Sequence, residues 1–179
     1  NLELAPEQVA HCIEKIGVGF MFAPKHHSAM KHAIGPRREM AVRTIFNVLG
    51  PLTNPAGAPN QVLGVFDKAL CGTLAAVLKE LGSRHVMVVH SGDGLDEISI
   101  AAETTVAELK DGEITEYTIS PEQFDMSRGK LASVQVNSAA ESLSLINMAF
   151  EGNNGAAANM IALNAGAAIY VAGLADTPS

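Results

Sequence analysis

The chain has 179 residues, 47% of them hydrophobic and 17% charged, and its 12 basic and 19 acidic side chains give a formal net charge of −7. This length favours one domain over residues 1–179 and allows a substantial buried core. The acidic balance argues against nucleic acid as a partner, because general nucleic-acid binders carry a basic face. No apolar run approaches the roughly 20 residues that span a bilayer, so we expect no membrane partner. The two cysteines, Cys12 and Cys71, are too few for a disulfide framework and predict reduced thiols in a cytoplasmic protein.

The first predicted elements are a helix and a short strand. Pro6–Ile16 predicts an amphipathic helix, with proline at its first position, apolar residues at helical spacing and Gly17 as its stop. Phe20–Ala23 predicts a short apolar strand that Pro24 ends. The residues that follow form a local cationic cluster, which should attract an anion, although solvated surface charges are the alternative. The members of this cluster are Lys25, His26, His27, Lys31, His32, Arg37, Arg38 and Arg43.

A connection rich in turn formers comes next. The apolar stretch within Arg43–Pro55 ends in Gly50-Pro51 and Asn54-Pro55, with another glycine and proline close behind. This composition predicts a shaped connection on the surface. A plain structural elbow is the alternative.

The middle of the chain predicts a strand–helix–strand unit. Gln61–Phe66 and His85–Val89 have strand patterns, and Leu70–Gly82 between them has the apolar stripe of a helix. A crossover of this length suits two parallel strands, and such units are right-handed in nearly all proteins.

A hairpin and two helices complete the predicted fold. Thr105–Lys110 and Glu113–Thr118 flank an Asp-Gly turn and predict an antiparallel pair. Ser138–Glu141 fits a capping box that opens a helix over Ser142–Phe150. The small residues of Ala156–Ala175 predict a structural helix lying close against the sheet. We therefore predict an α/β fold with a mostly parallel central sheet, flanking helices and an antiparallel hairpin.

Two neighbouring carboxylates follow the second predicted strand. The loop Ser91–Glu97 contains two glycines and ends in Asp96 and Glu97. In open α/β sheets, ligands bind outside the carboxyl ends of the strands, where this loop should lie. Adjacent acids there suit a hard divalent cation such as Mg²⁺, which takes oxygen ligands and shares them with substrate phosphates. An acidic surface turn is the alternative.

The histidines favour structural roles. His85 and His90 bracket an apolar strand, where a hydrogen-bonded structural histidine is more common than a catalyst. His26 and His27 do not have the spacing of zinc ligands, and no cysteine accompanies them. The sequence contains no nucleophile elbow, complete phosphate-binding glycine loop or dinucleotide fingerprint.

Several of these stretches together resemble anthranilate phosphoribosyltransferase, the tryptophan-pathway enzyme that joins anthranilate to phosphoribosyl pyrophosphate. The resemblance runs in order over essentially the whole chain. The stretches that carry it are Phe20–Pro24 followed by His27, then Pro36–Glu39, Arg43–Pro55, Val88–Glu97 and Leu163–Ala168. Related nucleoside phosphorylases share the fold in broad terms.

The resemblance implies roles for particular residues. Asp96 and Glu97 match the carboxylates that bind Mg²⁺ and hold the pyrophosphate end of the sugar substrate. Arg37 matches the arginine that meets the anthranilate carboxylate. The residues that match the wall of the aromatic-substrate tunnel are Pro24, His27, Met30, Gly50 and Pro51, with Met30 standing where some members carry an aromatic residue. No catalytic nucleophile is implied, because positioning and the metal carry the reaction.

The resemblance also implies that part of the enzyme lies outside this chain. The family's glycine-rich phosphate loop and its N-terminal dimerisation helices belong upstream of Asn1. We therefore expect residues 1–179 to be the C-terminal part of a nucleoside phosphorylase/phosphoribosyltransferase-like large domain, inactive alone and homodimeric in the whole enzyme. The alternatives are a pyrimidine nucleoside phosphorylase and a non-catalytic nucleic-acid-binding homologue of the same fold.

Overall fold

The computed structural model describes residues 2–26, 46–152 and 155–178. They belong to two compact units, Asn1–Gly57 and Ala58–Ser179, each of which is described by itself. The assignment of residues 1–179 to one domain stays a prediction. In the described ranges, no helix combines the length and the hydrophobicity that a membrane crossing needs.

The first unit begins with a helix that the sequence predicts correctly. Helix α1 covers Pro6–Ile16, and Gly17 ends it in the left-handed conformation at φ 78° with its N–H on the carbonyl of Ile13. The strand predicted over Phe20–Ala23 is wrong. Helix α2 instead covers Ala23–His26. A proline in the first turn is compatible with a helix, and four consecutive apolar residues lack the alternation that indicates a strand.

The predicted connection is partly helical. Helix α3 covers Phe46–Leu52, within the stretch where the sequence predicts a shaped surface connection. Pro51 lies close to the end of this helix and has no N–H to donate to a preceding carbonyl. The hydroxyl of Thr53 donates to the carbonyl oxygens of Leu49 and Gly50, at 3.0 and 3.3 Å. The predicted turn is confirmed further on, where the N–H of Gly57 donates to the carbonyl of Asn54.

The second unit is built on a mixed four-stranded sheet with the order β1-β2-β3-β4. Strands β1 (Asn60–Gly64) and β2 (His85–Ser91) pair in parallel, and helix α4 (Leu70–Glu80) connects them. Strands β3 (Thr104–Lys110) and β4 (Glu113–Ile119) continue the sheet with antiparallel pairing. The α/β class, the strand–helix–strand unit and the hairpin are thus confirmed. Of the three strand pairings that the structure describes, one is parallel and two are antiparallel, so the described sheet is mixed where the sequence predicts a mostly parallel one.

The hairpin turn and the C-terminal helices follow local rules. Asp111 and Gly112 both have positive φ, 52° and 79°, as a two-residue hairpin turn requires. Helix α5 covers Ala139–Phe150, so it begins three residues before the predicted start, and the hydroxyl of Ser138 caps it by accepting from the N–H of Glu141. Helix α6 covers Ala156–Val171.

Strand β2 is buried on both faces. Val86 to Val89 are at most 1% exposed. Met87 and Val89 pack in a core cluster with Leu163, Ala167 and other residues of α6. Since side chains alternate along a strand, Val86 and Val88 point to the opposite face, on the side of the sheet where α4 lies. The helix of small residues lies against the sheet as predicted.

A polar network joins the beginning of β2 to β3 and α6. His85 Nε2 and Glu108 Oε1 lie 2.7 Å apart, and the hydroxyl of Tyr117 donates to Glu108 Oε2 at 2.8 Å. Lys110 Nζ donates to the hydroxyl of Tyr170 at 3.0 Å, and the Tyr170 ring meets the His85 ring edge to face. Burial alone would raise the pKa of Glu108, but hydrogen bonds, first from His85 and then from the two tyrosines, outweigh it and lower that pKa.

The structural interpretation of the two strand histidines is confirmed. His85 pairs with Glu108 in the network, where both side chains are nearly buried. His90 Nδ1 lies 2.8 Å from the carbonyl oxygen of Val65, the residue that follows β1. Each ring therefore holds neighbouring strands together.

Glu108→Gln should destabilise the protein, because it removes the charged acceptor that His85 and Tyr117 share. We expect the free energy of unfolding to fall by about 1–3 kcal/mol near neutral pH, measured by urea denaturation. A carboxylate with a lowered folded pKa stabilises above its unfolded pKa, and this contribution is lost as the pH falls through the folded pKa. The difference between wild type and variant should therefore shrink as the solution is acidified through the lowered pKa of Glu108.

The exposed Glu80, at the end of α4, provides the control. Glu80→Gln removes the same charge outside the network and should leave the free energy of unfolding nearly unchanged. Equal stability of Glu108→Gln and wild type at neutral pH would contradict the assigned role of the network.

Candidate active site

The loop that leaves β2 turns back on itself at once. The N–H of Ser91 donates to the carbonyl of Leu95 at 2.9 Å, and the N–H of Gly94 donates to the carbonyl of Ser91 at the same distance. Gly94 has a φ of 91°, which a side chain would strain. The N–H of Gly92 donates to the carbonyl of Glu103 just before β3. The two glycines therefore make the turn that the sequence predicts.

Asp93 holds this turn from inside. Its Oδ2 accepts a hydrogen bond of 2.6 Å from the hydroxyl of Ser99, and its Oδ1 accepts from the N–H of Leu95 at 3.4 Å. Desolvation would raise the pKa of Asp93, but the Ser99 hydroxyl, with help from the Leu95 amide, lowers it below its usual value. Asp93 is thus an ionised carboxylate, and each of its oxygens accepts a hydrogen bond from within the loop.

Asp96 and Glu97 lie at the carboxyl end of the parallel pair, as predicted. Both side chains are exposed. Gly64 ends β1, and a Cβ atom added to it would overlap the backbone carbonyl of Asp96. The acidic loop therefore crosses directly over the end of β1 after leaving the end of β2. This edge of a parallel sheet is where α/β proteins bind ligands.

Asn164 of α6 holds the other side of the acidic pair. Its Oδ1 accepts from the N–H of Ile98 at 3.0 Å, and its Nδ2 donates to the carbonyl oxygens of Ile98 and Met160, both at 2.9 Å. The sequence pattern indicates a purely structural helix here, so Asn164 was missed as a contact of the loop. The available signal was an amide between Leu163 and Ala165, one of two asparagines in a helix of mostly small and apolar residues.

The pair of carboxylates is electrostatically unfavourable without a cation. Desolvation first, and then the neighbouring Asp96 carboxylate, raise the pKa of Glu97, although its side chain is accessible to solvent. A raised folded pKa means that ionised Glu97 disfavours the fold once the pH rises through that pKa. A divalent cation bound between the two carboxylates would remove this penalty. Its binding should weaken as the pH falls and Glu97 takes up a proton.

Two oxygen ligands from the protein fit Mg²⁺. Among the residues that the structure describes, no group of three or more His, Cys, Asp or Glu side chains is placed to hold a metal. Mg²⁺ is commonly bound by one or two carboxylates, with water and substrate phosphate oxygens at its other positions. The arrangement can therefore hold a metal that also binds a phosphorylated substrate.

The other predicted site residues are described in part. Gly50 and Pro51 are half-buried in α3 of the first unit, and a Cβ atom built on Gly50 meets no atom within 4 Å. The backbone of Pro24 belongs to α2. The side chain of Pro24 lies outside the described part, as do the whole residues His27, Met30 and Arg37. Their roles in substrate binding stay predictions.

Known proteins resemble the chain along its whole length. The model of the glycosyl transferase family, a/b domain, matches residues 1–179. The anthranilate phosphoribosyltransferase of Thioalkalivibrio sulfidiphilus is 65% identical over 177 residues, which cover 99% of this chain and 52% of that protein. The enzyme of the same name from Chromohalobacter salexigens is 64% identical over 179 residues, covering 100% of this chain and 52% of that protein.

Solved structures agree with these relatives. The crystal structure of anthranilate phosphoribosyltransferase (TrpD) from Thermus thermophilus is 40% identical with a TM-score of 0.90, covering 99% of this chain and 53% of that one. The Saccharomyces cerevisiae enzyme in complex with PRPP and Mg is 25% identical with a TM-score of 0.81, covering 92% of this chain and 48% of that one. This chain thus spans about half the length of the relatives that it matches.

The fold, the loop at the carboxyl end of the parallel strands and the match over every residue lead to one conclusion: the chain belongs to the glycosyl transferase family, in its a/b domain.

Proposed function

We propose that the full-length protein carrying this chain is an anthranilate phosphoribosyltransferase of tryptophan biosynthesis. The reaction transfers the phosphoribosyl group of phosphoribosyl pyrophosphate to the amine of anthranilate and releases pyrophosphate. The observation that carries the proposal is the paired carboxylates of Asp96 and Glu97 at the sheet's carboxyl end, in a chain 65% identical to an enzyme of that name.

Asp96 and Glu97 are proposed to bind Mg²⁺. When bound, the ion supplies positive charge beside the departing pyrophosphate and stabilises the charge that develops there. The raised pKa of Glu97 supports this role, because two adjacent carboxylates with no cation repel each other. The complex of the Saccharomyces cerevisiae relative with PRPP and Mg also supports it.

The remaining task of the protein is to place the two substrates in line. The bond between the anomeric carbon and the pyrophosphate oxygen breaks while the anthranilate nitrogen bonds to that carbon, and the amine proton is then lost. An aromatic amine is neutral near neutral pH, so the nucleophile needs no strong base. Holding amine and sugar in line lowers the barrier by removing the entropy of bringing them together.

Arg37 is proposed to bind the anthranilate carboxylate, since its planar guanidinium can form two parallel hydrogen bonds with a carboxylate. The aromatic ring of anthranilate would then contact a tunnel wall. The proposed wall residues are Pro24, His27, Met30, Gly50 and Pro51. The cationic character of residues 25–43 supports binding of an acidic substrate in this part of the chain.

Magnesium dependence, a cytoplasmic location and a homodimer complete the proposal. The resemblance to the family supports all three. The net charge of −7 argues against nucleic acid as the ligand. The local basic segment of residues 25–43 supports a small anionic substrate instead.

Asp96→Asn combined with Glu97→Gln should abolish magnesium-dependent turnover, because neutral amides cannot replace two anionic ligands. Loss of a single contact that supports a metal ligand lowers activity by up to about 100-fold. Loss of both anionic ligands should therefore lower kcat/KM by at least about 100-fold. The assay follows anthranilate consumption by the full-length protein with phosphoribosyl pyrophosphate and varied Mg²⁺.

The hairpin offers a control that removes the same charge. Asp111→Asn combined with Glu113→Gln changes two exposed acids near the turn and should leave the magnesium dependence unchanged. Near-normal activity of the loop variant would exclude the metal assignment. Release of a base from a pyrimidine nucleoside with phosphate, in place of anthranilate consumption, would contradict the proposed function itself.

Arg37→Ala should weaken anthranilate binding far more than binding of the sugar substrate. Losing a hydrogen bond to a charged group, worth about 1.5–3 kcal/mol, corresponds to a rise of about 10- to 150-fold in the KM for anthranilate. Steady-state kinetics with each substrate varied in turn measures both constants. Arg38→Ala, the adjacent arginine, is the control, and equal losses for the two substrates would count against a role in binding the carboxylate.

A further inference from the structure

We propose that Asn164 is a positioning residue for the acidic pair, fixing the backbone at Ile98 so that Asp96 and Glu97 present their carboxylates together to a bound metal. The inference rests on the proposed metal-binding function of that pair. It adds a residue of α6, 66 positions away from Ile98 along the chain, to the active site.

The contact between Asn164 and Ile98 is two-sided. The side-chain amide accepts from the N–H of Ile98 and donates to the carbonyl oxygen of the same residue, as a neighbouring strand would. The second hydrogen of Nδ2 goes to the carbonyl of Met160, one turn earlier in the helix. Both amide donors and the acceptor are therefore used, which fixes the amide's orientation.

The position of Asn164 is itself well fixed. On the same helix, Leu163 and Ala167 are buried against Met87 and Val89 of strand β2. The Ile98 side chain is 3% exposed and belongs to the same core cluster. The amide thus connects the loop to an element that cannot move without disturbing the core.

The two ends of the acidic segment are held independently. On one side, the carbonyl of Leu95 accepts from the N–H of Ser91 at the end of β2. On the other side, both backbone groups of Ile98 are held by Asn164. Asp96 and Glu97 are the two residues left between these anchors. If Asn164 no longer held Ile98, repulsion between the two carboxylates would push such a short segment apart. The effect of losing Asn164 should therefore be seen mainly in the metal affinity.

Asn164→Leu and Asn164→Ala test the proposal in the full-length protein. Leucine keeps the bulk and favours a helix more than asparagine does, but it cannot form any of the three hydrogen bonds. We expect the Mg²⁺ concentration for half-maximal activity to rise by about 10–100-fold in both variants. The KM for anthranilate should stay within about twofold of the wild-type value, which a general loss of structure would not allow.

The control is Tyr170→Phe, on the same helix. It removes the hydrogen bond from Lys110 near the C-terminal end of α6. We expect it to lower the thermal midpoint without changing the magnesium requirement. A folded Asn164→Leu variant with the wild-type magnesium requirement would overturn the proposal, as would an equal rise in the KM for anthranilate.

Amide hydrogen exchange provides a readout that does not depend on the activity. In metal-free protein, the N–H of Ile98 should be protected in wild type and exchange faster in both Asn164 variants. If wild type shows no magnesium-dependent activity, the proposed function fails while this measurement still decides the positioning role. If neither variant folds, the exchange rate of the Ile98 N–H in wild type tests the proposal. Rapid exchange would contradict the contact with Asn164, and slow exchange would support it.

Discussion

The burial of β2 is the constraint on which the rest of the second unit depends. The strand pairs with β1 on one side and β3 on the other, and its side chains from Val86 to Val89 are shielded on both faces. A strand in this position can present polar chemistry only at its ends. His85 at the first end enters the network with Glu108, and the turn after Ser91 at the second end carries the two exposed acids.

Helix α6 connects these two ends. Near the start of β2, the hydroxyl of Tyr170 accepts a hydrogen bond from Lys110 and its ring contacts the ring of His85. Beyond the end of β2, Asn164 is hydrogen-bonded to the loop at Ile98. One helix therefore carries a contact to the polar network and a contact to the acidic loop, about two turns apart. The packing of the core thereby determines the position of the loop that carries Asp96 and Glu97.

Local patterns predicted much of this unit. The strand–helix–strand unit, the Asp-Gly hairpin and the acidic loop all rest on residues close together in the sequence, and all are found. In the first unit, the strand predicted over Phe20–Ala23 was wrong, because a short apolar run does not distinguish strand from helix without its packing partners. The helix over Phe46–Leu52, within the predicted connection, was not foreseen. The prediction of hydrogen-bonded structural histidines succeeded, although their partners could not be named in advance.

The part of the site that escaped prediction is the long-range part. Nothing in the neighbourhood of Asn164 indicates that its amide pairs with the backbone of Ile98, and nothing near Gly64 indicates that the Asp96 carbonyl lies against it. Both contacts exist because the tertiary fold brings distant segments to one edge of the sheet. The residue types were visible in the sequence, but their partners were set by the fold.

Because the Asp96 backbone lies against Gly64, this position has no room for a side chain. Any larger residue there collides with main-chain atoms of Asp96, which cannot swing aside as a flexible side chain would. A substitution at this glycine would therefore displace the loop that carries Asp96 and Glu97 while leaving every polar side chain intact. A ranking of substitutions by the charges or hydrogen-bonding groups that they remove would miss this steric effect.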